Sequence, residues 1–207
     1  LLTFASAPDY EAKASYTATV TASDGTDTTT QAITVNVTNI NDNSPVFTSG
    51  ATFSAAENQT SIGTVTATDA DSGDSVTFTV SGSELAITSG GVLSFASAPD
   101  YETKASYTAT VTASDGTNAE TQAITVNVSD ANDNAPIIES SPVFSAAENQ
   151  TSIGTVTATD SDSSSIIFTV SGAELAITSG GVLSFASAPD YETKASYTAT
   201  VTASDGT

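Results

Sequence analysis

Two short stretches hold the residues best equipped for chemistry: Asp130-Ala131-Asn132-Asp133-Asn134-Ala135-Pro136 and its echo, Asn39-Ile40-Asn41-Asp42-Asn43-Ser44-Pro45. Carboxylates, side-chain amides and backbone carbonyls are oxygen ligands, and calcium takes roughly 6 to 8 of them in irregular geometry. Magnesium demands a tighter octahedron and keeps its water, so it fits less well. The expected chemistry is therefore binding of a hard cation. For the second stretch the chain can deliver further acids: Glu57, Asp100 and Glu102 from before it, Asp130 and Asp133 within it, and Asp160, Asp162 and Asp205 from after it. Eight carboxylates brought together repel, by about 1 kcal/mol per pair at about 4 Å in water and more where water is excluded. Such a cluster needs cations.

Composition agrees with that reading and removes others. Three Lys and Arg stand against 24 Asp and Glu, a net charge of −21, which repels nucleic acid and anionic membrane surfaces and attracts cations. With no His and no Cys there is no serine or cysteine triad of the usual kind, no thiolate metal site and no disulfide. Apolar runs are a few residues long, far short of the roughly 20 that a spanning helix needs. No direct membrane insertion is expected.

The elements that must position the acids are repeated. Pro-Asp-Tyr-Glu recurs with its Asp at 9, 100 and 190, and Glu84–Thr117 returns residue for residue as Glu174–Thr207. A period near ninety residues suits whole small domains in series. Cutting at the two Asn-Asp-Asn seams gives the end of one repeat over 1–44, a complete repeat over 45–135 and a repeat without its last strand over 136–207. The chain is expected to be a window on a longer tandem array, in which further copies of the repeat in the same chain are its nearest partners.

Within the complete repeat the pattern has period two. Tyr107, Ala109, Val111 and Ala113 alternate with threonines; so do Val76, Phe78 and Val80; and Ile124, Val126 and Val128 alternate with Thr125 and Asn127. These are half-buried strands. Shorter strands are expected at 52–55, 63–68, 85–88 and 92–95, separated by Ser-Gly, Gly-Gly and Asp-Gly turns. Seven strands without helical periodicity predict an all-β fold, a two-sheet antiparallel sandwich, with loops gathered at its two ends. Taken singly, Asp-Gly is a common turn and Asp69-Ala70-Asp71 could simply close a strand. Their joint return at one period is what favours a ligand role.

The set Ala56-Glu57-Asn58, Asp100-Tyr101-Glu102, Asp130 to Pro136, Asp160-Ser161-Asp162 and Ala203-Ser204-Asp205 resembles the calcium-binding motifs of cadherin repeats. The resemblance covers the whole chain, five separated motifs agreeing in order. It implies tandem seven-stranded Greek-key sandwiches, similar to immunoglobulin domains, joined end to end with up to three Ca2+ per junction. By that likeness Glu57, Asp100, Glu102 and Asp133 surround an outer ion, and Asp130, Asp162 and the Ala131 carbonyl contribute to a middle one. Asn132, the Asn134 carbonyl, Asp160, Asp162 and Asp205 hold the third. At the first junction the corresponding groups are Asp9, Glu11, Asn39, the carbonyl of Ile40, Asn41, Asp42, Asn43, Asp69, Asp71 and Asp115. Asn39 stands where the family has an acid, which implies a weaker middle ion there. The residue lost after Asp162, relative to Asp71, shortens a loop that resembles the source of a carbonyl ligand. Half-sites are expected at the ends: Asp24 at one, and Glu148, Asp190 and Glu192 at the other.

With no Trp, strand-exchange adhesion through an inserted Trp does not carry over. The near-identical copies and Thr-rich faces are more similar to cadherin-type repeats of bacterial surface adhesins and filaments. The first expectation is thus a calcium-stiffened stalk of an extracellular, cell-surface adhesin or filament, with self-association into a filament as one partner and surface glycans as another. The alternative is a carbohydrate-binding module, for which Tyr101 is the exposed aromatic candidate. No enzyme is expected, although paired acids are the minimal equipment of a glycosidase. A domain-swapped polymer is a further arrangement, because residues 1–44 carry late strands that 136–207 lack.

Overall fold

The protein, seen in a computed structural model that describes residues 1–162 and 165–206, is built from strands and turns, with no helix among the described residues. It divides into two compact units: residues 1–100 with 104–129, and residues 101–103 with 130–207.

The first unit opens with a hairpin of β1 (Ser15–Ser23) and β2 (Thr28–Asn36), paired antiparallel from Ser15↔Asn36 to Ser23↔Thr28. The Asp24-Gly25 turn joins them because Asp24 Oδ1 accepts from the Thr26 and Asp27 N–H groups, at 3.0 and 2.8 Å, and Gly25 supplies φ +102°. There follow β3 (Val46–Phe47), β4 (Thr52–Ala56), β5 (Ser61–Thr64), β6 (Ala67–Thr68), β7 (Thr77–Val80), β8 (Leu85–Ile87), β9 (Val92–Phe95), β10 (Ser106–Ser114) and β11 (Ala119–Ser129). One sheet runs β4-β11-β10-β7, with β4 parallel to β11; another runs β5-β9-β8; β3 pairs with β6. This is a Greek-key β-sandwich. Alternation delivers its core: Val65, Leu93, Val111, Ala113 and Val126 are fully buried, and Ile124, Phe78 and Phe95 nearly so.

Two details depart from the expected pattern. The strand read as 63–68 is broken at Val65–Thr66, whose N–H groups donate to Gly91 O at 2.8 Å and Ser49 Oγ at 3.1 Å instead of continuing one ladder. Tyr101, expected to be exposed, is half-buried. The turn around it does not decide this, because Lys104 N–H donates to Asp100 O and Lys194 N–H to Asp190 O alike, both at 2.9 Å. Its counterpart Tyr191 is 64% exposed.

The second unit contains β12 (Ile137–Ile138), β13 (Ser152–Thr155), β14 (Ala158–Thr159), β15 (Ile167–Val170), β16 (Leu175–Ile177), β17 (Val182–Phe185) and β18 (Val201–Ser204). They pair as β12-β14, β13-β17-β16 and β15-β18 around Val156, Phe168 and Leu183. Ser196–Ser204 has the sequence of β10, yet only its last four residues are strand. In the first unit Ser106 to Thr110 pair with Asn127 to Ala123 of β11, and the second unit has no such strand among the described residues. Identical sequence thus takes different local structure according to the partner offered to its backbone.

The chain's three cationic side chains are spent on packing. Lys13, Lys104 and Lys194 lie 4.4, 4.4 and 4.6 Å from the ring centroids of Tyr16, Tyr107 and Tyr197, and the latter two pair with Glu84 and Glu174. The acids of the linkers must be neutralised from elsewhere.

Candidate metal centre

The first linker and the acids around it lie within the first unit. Pro45, fully buried, anchors the linker against the sandwich, and Asp71, only 4% exposed, organises it. Asp71 Oδ2 accepts from the N–H groups of Asp42 at 3.1 Å and Asn43 at 2.8 Å, while Oδ1 accepts from Asn43 Nδ2 at 2.9 Å. Burial works to raise the Asp71 pKa; the Asn43 side chain and the two backbone N–H groups outweigh it and hold the carboxyl below its ordinary value. A buried carboxylate whose charged form is favoured by its hydrogen bonds is therefore fixed in the linker's turn.

Two groups of acids share Asp71. Carboxylate oxygens of Glu11, Asp42 and Asp71 lie within 4.8 Å of one another, and so do those of Asp69, Asp71 and Asp115. Glu11 registers the crowding: its pKa is raised by desolvation first and by the charges of Asp71, Asp42 and Asp9, against its own backbone hydrogen bond. Asp69 Oδ1 accepts from Asp71 N–H at 2.9 Å, but its Oδ2 is buried without a hydrogen-bond partner. Asn39 donates from Nδ2 to Ser72 O at 3.3 Å, and its Oδ1 is likewise buried and unpartnered. Buried oxygens without donors are costly unless a cation takes them. The donor set of carboxylate, amide and carbonyl oxygens fits calcium.

The remaining expected groups of this linker are placed as follows. Asp9 caps a turn, accepting from Ala12 N–H at 3.1 Å through Oδ1, and belongs to neither group of acids. Ile40, its side chain 70% exposed, has only its backbone carbonyl to offer. Asn41 and the Asn43 carbonyl converge on a residue that the sequence alone did not single out. Asn118 Nδ2 donates to Asn41 Oδ1 and to Asn43 O, both at 2.8 Å, and makes a longer contact of 3.4 Å with Asp115 Oδ2. Asp115 Oδ1 meanwhile accepts from the Thr117 and Asn118 N–H groups, both at 2.6 Å. One oxygen of Asp115 builds the Asp-Gly turn; the other meets the Asn118 amide.

The second linker repeats the first inside the second unit. Asp162 Oδ2 accepts from Asp133 N–H at 2.7 Å and Asn134 N–H at 2.5 Å, Oδ1 accepts from Asn134 Nδ2 at 2.8 Å, and Asp162 N–H donates to Asp160 Oδ1 at 2.9 Å. The Asn134 N–H is the first cause that lowers the Asp162 pKa, and burial opposes it. Glu102, Asp133 and Asp162 bring carboxylate oxygens within 4.8 Å of one another. Among the described residues Asp160 and Asp205 form no counterpart of the Asp69–Asp71–Asp115 group, and Asp130, Ala131 and Asn132 enter no cluster of acids. Asp115 follows a nine-residue strand paired with both β7 and β11, whereas Asp205 follows the four-residue β18, paired with β15 alone among the described residues. The shortened loop after Asp162 lies in part on residues 163 and 164, outside the described residues. In the first unit Glu57, 4% exposed, has carboxylate oxygen within 4.8 Å of Asp100. Glu148, Asp190 and Glu192 form a comparable exposed group in the second unit.

Tandem Greek-key sandwiches with a buried Asp gripping an Asn-Asp-Asn linker define the class: the repeats of this chain are cadherin repeats. No family model matches the chain. In sequence it is 36% identical over 180 residues to mouse "Cadherin EGF LAG seven-pass G-type receptor 1", which covers 79% of this chain and 6% of that protein. It is 38% identical over 149 residues to human "Protocadherin Fat 1", covering 62% of this chain and 3% of that one. In structure it is similar to mouse Cadherin-23 EC22-24, with TM-score 0.72, 27% identity and coverage of 96% of this chain and 72% of that one. The Protocadherin GammaB4 extracellular domain gives TM-score 0.77 at 27% identity over 97% of this chain and 36% of that one. The chain thus spans a small fraction of the full-length relatives that it matches.

Proposed function

We propose that this chain is a calcium-rigidified repeat segment of an extracellular adhesin or surface filament, serving as a stalk in cell adhesion. The observation that carries the reading is Asp71: a buried carboxylate, hydrogen-bonded by the first linker and shared by two groups of acids with no cationic side chain of their own. Calcium bound there draws together Glu11 and Asp42, from before the sandwich, with Asp69, Asp71 and Asp115, which belong to it. Bending the linker would then separate ligands of one ion, so the bound state resists bending. Asp162, Asp133 and Glu102 supply the same chemistry at the second linker. The near identity of successive copies adds length more readily than new specificity. It supports placing the chain among cadherin-type repeats of bacterial surface adhesins, with further copies of the repeat and self-association as its partners.

Small-angle scattering of the 207-residue chain tests the reading. With calcium in millimolar excess the maximum dimension should increase and the distance distribution should sharpen relative to chelator. An unchanged distribution would contradict the stalk.

A further inference from the structure

Asn118 occupies a position that the calcium reading does not assign to it. Its side-chain Nδ2 points at three oxygens from separate parts of the chain: Asn41 Oδ1, Asn43 O and Asp115 Oδ2. With Asp69 and Asp71, these are the first-junction counterparts of Asn132, Asn134, Asp160, Asp162 and Asp205, the groups that the resemblance gives to a third ion. A terminal amide carries two N–H donors and no formal charge, and here it does part of a cation's work by presenting positive hydrogen to gathered oxygens. The counterpart in the preceding copy is Asp27, reached through the same turn, in which Asp24 Oδ1 accepts from the Thr26 and Asp27 N–H groups. A carboxylate cannot donate in that way. The device is therefore a property of this copy rather than of the turn.

We propose that the Asn118 amide is a built-in stand-in for the third ion, holding Asn41, Asn43 and Asp115 together when calcium is absent and competing with calcium for their oxygens. The inference rests on the calcium reading of the site. An arriving ion must displace the Nδ2 donors, so Asn118 stabilises the metal-free junction and weakens the last ion to bind. It sets the calcium concentration at which the first junction is completed, while keeping the linker ordered below that concentration. Asn118 is a positioning residue that acts through the ligands, and its own backbone N–H, bound to Asp115 Oδ1, stays in the turn throughout.

N118A in the 207-residue chain separates competition from simple support, because competition moves two readouts in opposite directions. In chelator the variant should melt below the wild type. In a calcium titration its weakest class of sites should tighten by about 2- to 10-fold, the factor that one hydrogen bond's net contribution sets. A variant that binds calcium equally or more weakly, while the wild type binds normally, overturns this proposal and leaves the calcium reading standing; absence of calcium uptake by the wild type overturns both. A second measurement needs no substitution. The Asn118 side-chain NH2 resonances of the wild type should be protected from solvent exchange in chelator and lose protection on calcium addition; protection unchanged by saturating calcium contradicts displacement.

Discussion

Asp71→Ala will abolish ordered calcium uptake at the first junction while leaving the Asp162 cluster with its own ligands. Asp71 is the one carboxylate common to the Glu11–Asp42–Asp71 and Asp69–Asp71–Asp115 groups, so its removal takes a ligand from each. It also removes the acceptor of the Asp42 and Asn43 N–H groups and of Asn43 Nδ2, so the linker loses its shape in the same step. Losing even an outer-shell partner of a metal site costs roughly 10- to 100-fold in affinity, and the loss of a shared direct ligand should be no smaller. Calorimetry should show fewer ions per chain, with the remaining uptake unchanged. Full stoichiometry in the variant would mean that Asp71 is a structural acceptor only.

The second large effect concerns the sandwich itself and should be independent of calcium. Gly91 has φ +88°, and a Cβ placed there would stand 2.2 Å from Val65 O and 3.3 Å from the Phe78 ring. The same carbonyl region closes the core: Val65 N–H donates to Gly91 O at 2.8 Å, and Gly91 N–H donates to Thr88 O at 2.9 Å. Gly91→Ala therefore adds left-handed backbone strain to a clash with backbone that cannot swing away. The sum is about 2–5 kcal/mol, taking about 1–2 for the conformation and about 1–3 for overpacking. Gly82 is the control. Its φ is +81° with nothing within 4 Å of an added Cβ, so Gly82→Ala should show the conformational part alone. Denaturant unfolding in chelator should rank the wild type above G82A and G82A above G91A. Equal loss in the two variants would place the whole cost in the backbone conformation and none in the Val65 contact.

The sandwich was legible in the sequence where strands are long and alternate regularly. β10 and β11 bury Val111, Ala113, Ile124, Val126 and Val128 on the face that period two assigns them. It was not legible where tertiary hydrogen bonds override local pattern. The break between β5 and β6 depends on Ser49 and Gly91, remote from Thr66 and Val65 in sequence, and the two-residue β3 is too short to show a period. Tyr101 is half-buried and Tyr191 exposed in the same sequence and the same turn, so exposure there depends on surroundings that residue type does not record. The candidate site divides in the same way. The acids that gather at the first linker, Glu11, Asp42, Asp69, Asp71 and Asp115, were marked by the resemblance of their motifs to those of cadherin repeats. Asn118 was not, because its partners Asn41 and Asn43 lie 77 and 75 residues away and nothing local distinguishes it from any residue that follows a turn. Its only signal in sequence is the change from Asp27 to Asn118 at matched positions of two otherwise similar hairpins.

Whether calcium holds the linker acids together is tested most directly by isothermal titration calorimetry of the metal-free 207-residue chain. Uptake of more than one ion per chain should be saturable, with affinities within about 10⁻⁷–10⁻³ M, the span of sensor and extracellular oxygen sites. Titration without binding heat through that span, with a melting temperature that calcium does not move, would contradict the calcium reading.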